Sequence, residues 1–428
     1  MFAFPTIASM ILMNLFSAVD GVFVSRLIGQ EALSAVTIAM PILTVSMSIG
    51  TMLGSGGTAL VARKLGERRN REAKENFSLL AIVAIILSAL LCIVGLAFLN
   101  PLLRVLGADS NLIGYCRQYA IPSLLMMPFT MFGMIFQMAF ITVGKAKWGF
   151  ITSLAGGISN MLLDYFFISV LGWGVTGAAV ATGIGYSIPS VIGLIYFATQ
   201  RKGNLYFVKP KMDVSVIVKS CSNGASEMVS SLANSIVIVL FNNILMNLAG
   251  SQGVAAIAIV MYAQSILSAA YNGYSWGISP IISFNFGKKD TDRLKRIFSI
   301  SLRTIIAFAA TVFVLGILFT GQLIGIFTAQ GTELFSMSVH GYRLYSVCFL
   351  LAGVNVFASA MFTALSDGKV SAILSFFRTL FFITITILVL PLILGINGVW
   401  LAMPVAEVFS LGLSIYFFKK KRCVYNYA

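Results

Sequence analysis

The chain has 428 residues, of which 58% are hydrophobic and 10% charged. Soluble domains carry about a quarter charged residues, so too few polar side chains are present to cover a water-facing surface, and a soluble domain is excluded. The formal charge of +15 points either to nucleic acid or to a membrane topology signal, and the placement of the basic residues decides between them.

Apolar windows of about 20 residues, the length that spans a bilayer core, recur from end to end. Twelve helices are predicted, over 2–25, 36–61, 77–100, 118–143, 149–170, 176–199, 216–246, 254–284, 298–319, 340–364, 370–394 and 397–418. The first begins at Met1 with no basic stretch before it, so it is not a cleavable signal, and the start is expected to be abrupt or truncated. This window holds Pro5, which removes a backbone hydrogen bond and is either a candidate hinge or a static kink. It also holds Asp20, in "AVDGVFV". The fifth helix carries Asn160 and Asp164 in "GGISNMLLDYFFI", four residues apart and so on one face. Thr182 follows in the sixth, in "GAAVATGIGYS", among small residues that permit close helix approach. Glu227 lies in the seventh helix ("NGASEMVSS") and Glu407 in the twelfth ("AMPVAEVFS").

Threaded from a cytoplasmic N-terminus, the cytoplasmic loops and the start of the seventh helix hold 23 of the 29 Lys and Arg. That bias is the positive-inside rule. It places both termini in the cytoplasm, makes "RKLGERRNREAK" and "KKKR" topology signals, and removes nucleic acid as an expected partner. The expected location is the cytoplasmic membrane, with the bilayer as solvent. Cys92, Cys116, Cys221, Cys348 and Cys423 show no metal or disulfide spacing, and the single histidine, His340, rules out a histidine-based metal centre. No cofactor is expected.

A shift of 221 aligns the halves: "ALSAVTIAM" (32–40) on "GVAAIAIVM" (253–261), "GERRNREAKENFSLL" (66–80) on "GKKDTDRLKRIFSIS" (287–301), and "LGADS" (106–110) on "FTAQG" (327–331). "TVGKAK" (142–147) meets "LSDGKV" (365–370) at a slightly larger offset of 223. Each copy has an even number of spans, so the repeats are parallel, related by an axis along the membrane normal. The expected architecture is an all-α polytopic membrane protein with a six-helix lobe at 1–200, a cytoplasmic linker at 201–215 and a second lobe at 216–428. Two lobes facing a central cleft need no partner to form it, so a monomer is expected.

Of fourteen acidic residues only Asp20, Asp164, Glu227 and Glu407 fall within spans. A charge at a helix centre costs about 2.5–3.5 kcal/mol on insertion scales, so each is expected to face the protein interior, be neutralised or bind a cation. Asp20, Asn160, Asp164 and Thr182 can supply an oxygen-rich site for a hard monovalent cation such as Na⁺, or a proton-accepting carboxylate pair. At the repeat shift Asp20 falls on Phe241, Asp164 near Ile387 and Leu388, and Glu227 on Thr6. The second copy omits the carboxylates, so structural symmetry does not require them.

These features resemble the bacterial-type multidrug and toxic compound extrusion (MATE) efflux transporters, over essentially the whole chain. "AVDGVFVSRLIG" is similar to that family's first-helix signature, "NMLLDYFFI" to its fifth-helix pattern and "GAAVAT" to the sixth. The resemblance implies that Asp20, Asn160, Asp164 and Thr182 form an N-terminal-lobe site for sodium or protons. It also implies that Pro5 marks a switching bend and that Glu227 is a second coupling candidate. Glu407, read from its own span, is either a second coupling group or paired with a nearby donor. The resemblance implies an antiporter driven by H⁺ or Na⁺ that exports amphipathic organic cations by alternating access. One departure stands out: "LLAGVNVFASAMF" lacks the tenth-helix aspartate of some members, which shifts weight to the N-terminal lobe. The alternative is a flippase or exporter of lipid-linked or polyanionic precursors, which should carry several intramembrane cations where this chain offers Arg378 and, marginally, Arg303. Enzymatic chemistry would need Asp-rich or His-containing motifs near the membrane surface, and none is visible.

Overall fold

A computed structural model describes residues 3–428, except for the side chains at positions 17, 18, 21, 22, 25, 26, 30 and 251. The chain is 87% helical, with no strand among the described residues. In hydrocarbon every backbone amide must be satisfied within its own segment, and a sequence so poor in polar side chains leaves the helix as the available solution.

Among the described residues twelve long helical segments follow in chain order: α1 Ala3–Leu27, α2 Gln30–Gly66, α3 Asn70–Ala97, α4 Ile113–Thr142, α5 Ala146–Val170, α6 Gly174–Thr199, α7 Val214–Gly250, α8 Gln252–Lys288, α9 Thr291–Leu318, α10 Glu333–Ala364, α11 Gly368–Leu394 and α12 Ile396–Tyr425. Each contains most of one predicted window. Two spans are broken: α4 bends by 52° between Leu125 and Met127, and α10 by 48° between Tyr345 and Cys348. One helical run of 75 residues is interrupted at Gly250, whose φ of 59° and ψ of −153° turn α7 into α8. Short helices Leu99–Val105 and Thr320–Gly325 follow α3 and α9.

The backbone repeats as the sequence does. Helices α3 and α9 are both 28 residues long and start 221 residues apart. Left-handed φ values recur at the same shift, at Arg68 and Lys289, Gly29 and Gly250, and Gly174 and Gly395. After α4 and α10 the turns correspond at Gly144 and Ser366. The offset there is therefore 222, one less than the loop sequences suggested, because the turn backbone and not residue similarity sets the register. The apolar cores separate accordingly. The largest cluster runs from Val237 to Tyr427, around Trp400 and Phe357, whereas two others centre on Tyr119 and on Phe77, Phe136 and Phe197. The connecting segment docks on the first half: Phe207 N–H donates to the Phe197 carbonyl at 3.0 Å, and the Phe207 ring stacks on Phe77 at 5.1 Å.

The halves touch mainly where α2 meets α7 and α8, and α1 meets α8. Glycines allow backbone-to-backbone contact there. A Cβ on Gly56 would enter the Ser220 carbonyl, one on Gly224 the Met52 carbonyl, one on Gly66 the Phe284 carbonyl and one on Gly287 the Arg63 carbonyl. Gly66 and Gly287 are themselves repeat mates, so the seal follows the pseudo-twofold. Asn223 Nδ2 locks it by donating to the Gly56 carbonyl at 3.3 Å and the Thr363 carbonyl at 2.9 Å. Outside this seal, a cavity of about 910 Å³ is rimmed by Arg63, Lys64, Arg69, Lys219, Lys289 and Lys369. This is the basic end of the molecule.

Loop carboxylates at this end cap helices. Asp367 accepts from Val370 N–H at 3.3 Å, from Lys421 Nζ at 2.9 Å and from the Tyr425 hydroxyl at 2.8 Å. Partial burial works against its charge, but these donors prevail and hold the carboxyl below the usual carboxylate range.

Candidate functional site: a buried carboxylate pair in the N-terminal half

Helices α1, α5 and α6 bring together the four residues singled out in the sequence. Asp20 on α1 and Asn160 on α5 are each 8% exposed, and Asp164 is fully buried. The four-residue spacing on α5 does what helical geometry requires, since Asn160 Nδ2 donates to Asp164 Oδ2 at 3.2 Å. Asp20 and Asp164 are hydrogen-bonding neighbours. Two carboxyl groups in such contact are bridged only by a proton or a cation. Directly after Asp164, α5 widens into a π-helical turn over Tyr165–Val170, a local departure frequent at functional sites.

One oxygen of each aspartate, Asp20 Oδ1 and Asp164 Oδ1, is buried without a hydrogen-bond partner among the described residues, and so is Thr182 Oγ1. Buried polar atoms are nearly always paired. Three orphaned oxygens on three helices therefore mark a place for a bound cation, proton or water. Asp20, Asn160 and Thr182 line a cavity of about 70 Å³ that also touches Gln137. A water needs roughly 10–15 Å³ on this measure, so there is room for a small ion with waters. Hard oxygen ligands suit such an ion. Among the described residues no three Asp, Glu, His or Cys side chains converge on one point.

Glycine makes the hollow. A Cβ on Gly156 would strike the Gly185 carbonyl, and one on Gly185 would sit 2.9 Å from Asn160 Cβ, so α5 and α6 close to contact and present backbone to the cavity. Sequence reasoning missed several neighbours. Gln137 offers Nε2 without a partner. Tyr119 and Tyr186 lie within electrostatic reach of Asp20, and the Tyr186 hydroxyl donates to Met47 Sδ at 3.6 Å. The run of glycines at 156, 157, 183 and 185 was the available signal.

The other two membrane carboxylates belong elsewhere. Glu407, 1% exposed, accepts from Asn355 Nδ2 at 2.6 Å and pairs with Arg378 Nη1 at 3.6 Å. Ser414 Oγ in turn donates to Asn355 Oδ1 at 2.9 Å. Glu227 faces Trp276 and lies within electrostatic reach of the same Arg378. Neither joins the first four. Pro5 is buried in the first described turn of α1, and its carbonyl accepts from Ser9 Oγ at 2.9 Å.

Two pseudo-symmetric bundles of membrane-length helices, sealed against each other at a basic end and holding an off-axis carboxylate pair, define a two-lobed polytopic membrane protein of the transporter kind. The MatE family model matches residues 5–166 and 228–388. The chain belongs to the MatE family, a family of membrane transporters and not of enzymes. It is 23% identical over 411 residues to the multidrug export protein MepA of Staphylococcus saprophyticus, covering 95% of this chain and 89% of that one. Identity is likewise 23% over 432 residues to a FAD transporter of Shewanella oneidensis, covering 95% and 90%. A structure described as the outward-facing conformation of a multidrug resistance MATE family transporter superposes with a TM-score of 0.93 at 21% identity, covering 100% and 96%.

Proposed function

We propose that this chain is a secondary antiporter that exports amphipathic organic cations across the cytoplasmic membrane, driven by H⁺ or Na⁺ at Asp20, Asn160, Asp164 and Thr182. The observation that carries this reading is the Asp20–Asp164 contact beside three orphaned oxygens in a small cavity. A ligand shifts a conformational equilibrium only through its differential affinity for the two states. Asp20 rides on α1, which crosses to the other half at Gly273 and Gly277. Loading the pair therefore links the charge of the N-terminal half to the contact that seals the basic end, which we assign to the cytoplasm together with both termini. Pro5 lies next to this crossing, since Ala3 and Thr6 are the residues a Cβ on Gly277 would meet, and it is the proposed hinge of α1. The working unit is the monomer, with lobes at 1–200 and 216–428 joined by 201–215.

The multidrug names of several relatives favour a drug-like substrate. Export of an anionic or lipid-linked precursor is the second reading, favoured by the FAD transporter among the relatives. Against it, Arg378 is already paired with Glu407 through Nη1 at 3.6 Å, which offsets its charge. Reconstituted vesicles loaded with a fluorescent organic cation and energised separately by a sodium or a pH gradient test the proposal. One gradient should drive uptake and Asp20→Asn should abolish it. Coupled uptake retained by Asp20→Asn overturns the site, and uptake of an anion in place of the cation supports the second reading.

A further inference from the structure

The repeat allows each position of one half to be set against its counterpart in the other. Gly50 packs on Met131 as Tyr271 packs on Gly353, which relates α2 to α8 by 221 residues and the second part of α4 to α10 by 222. The left-handed pair Gly174 and Gly395 relates α6 to α12 by 221. On this register Asn355 stands where the first half has Gly133, and Glu407 where it has Tyr186. The local geometry repeats: a Cβ on Gly133 would lie 3.5 Å from the Tyr186 carbonyl oxygen, and Asn355 Nδ2 donates to the Glu407 carbonyl at 3.0 Å. Arg378, in the π-helical turn Phe377–Phe381 of α11, falls at Gly156 of α5 by the 222-residue offset of the preceding turns.

Gly133, Gly156 and Tyr186 all line the ion cavity. Lining positions held by two glycines and a tyrosine in the first half thus carry an amide, a guanidinium and a carboxylate in the second. The aspartates run the opposite way, since the position of Asp20 is taken by Phe241, fully buried in the apolar core.

We propose that the Arg378 guanidinium is a built-in cation at the second half's counterpart of the ion cavity, and that it confines coupling-ion uptake to the first half. This rests on the Asp20/Asp164 assignment above. A buried charged carboxylate is costly unless it is paired and hydrogen-bonded, and Glu407 has Arg378 and Asn355 for this. Here the partner is a guanidinium tethered by the chain, so this position neither empties nor refills during a transport cycle. Glu227 adds a second negative group within reach of the same guanidinium. The pair therefore determines stoichiometry: one cation site per chain where the repeat provides room for two.

The test uses the full chain in detergent, with radioactive sodium binding and proton uptake after a pH jump as readouts. Arg378→Ala should raise the total from one to two equivalents per chain, and Arg378→Lys should leave it at one. Adding Glu407→Gln to Arg378→Ala, or millimolar guanidinium, should return it to one. Monodisperse Arg378→Ala that stays at one equivalent overturns the inference while leaving the Asp20 assignment intact. Uptake unchanged in the Asp20→Asn/Asp164→Asn double variant instead overturns that assignment. If Arg378→Ala does not yield monodisperse protein, Arg378→Gln is read by the same criteria.

Discussion

Replacing Gly224 by valine would pry open the basic end of the molecule. Gly224 on α7 lies against the backbone of Met52 on α2, and its added Cβ would sit 2.8 Å from the Met52 carbonyl carbon and closer still to the oxygen, where ordinary contact begins at 3.4 Å. Backbone cannot move aside as a side chain can, so the two helices must separate. Overpacking of this kind costs about 1–3 kcal/mol. The cost falls on the sealed arrangement, in which α2 and α7 touch at this point, and is relieved in any arrangement where they part here. Taking about 2 kcal/mol, the ratio of open to sealed forms rises by roughly 30-fold, at 1.4 kcal/mol per factor of ten. Cys221, three residues away and partly buried, is a native reporter. In a chain whose other four cysteines are replaced, maleimide labelling of Cys221 from the basic side should quicken by that order. Gly412→Val is the control, since nothing lies within 4 Å of its Cβ. Monodisperse Gly224→Val protein that labels at the rate of the parent would refute the idea that this contact holds the seal.

Gly185→Val places bulk against Asn160 Cβ, 2.9 Å from the Cβ position, and should abolish ion-driven uptake in vesicles with little loss of expression; full transport would show that the cavity is dispensable. Thr182→Val keeps the shape and removes one orphaned oxygen. It should weaken sodium binding by about tenfold, the effect of roughly 1.4 kcal/mol, while sparing proton-driven transport, and an equal loss of both would sink Thr182 as an ion ligand. Asp367 gives a pH prediction. Its folded-state carboxyl titrates below the usual range, so its stabilisation is present above the unfolded pKa of about 3.9 and is lost as pH falls through the lower folded value. Asp367→Asn should therefore lower the unfolding temperature at pH 6 but converge with the parent in acid, and a gap unchanged across the titration would refute this.

Much of the transporter plan was legible before any coordinates. Composition forced a membrane solvent, apolar windows marked the spans, and the 221-residue shift implied two parallel halves because each carries an even number of crossings. The positions of Asp20 and Asp164 were informative because a carboxylate inside an apolar helix is costly and needs a reason. The spacing of Asn160 and Asp164 fixed their hydrogen bond, since an α-helix alone puts residues four apart in contact.

Other features were decided by the tertiary structure, because they depend on what approaches from a distant helix. The seal at Gly56, Gly224, Gly66 and Gly287 arises from packing between segments far apart in sequence. Glu407 is the clearest instance. In the sequence it stands beside Asp20 as one more acidic residue in an apolar span. In the fold Arg378 and Asn355 reach it from α11 and α10, while the first half has glycine at both of their positions and Tyr186 at that of Glu407. Periodicity and charge count record which groups enter the membrane, but only the packing of helices determines which of them meets a partner and which is left facing a cavity.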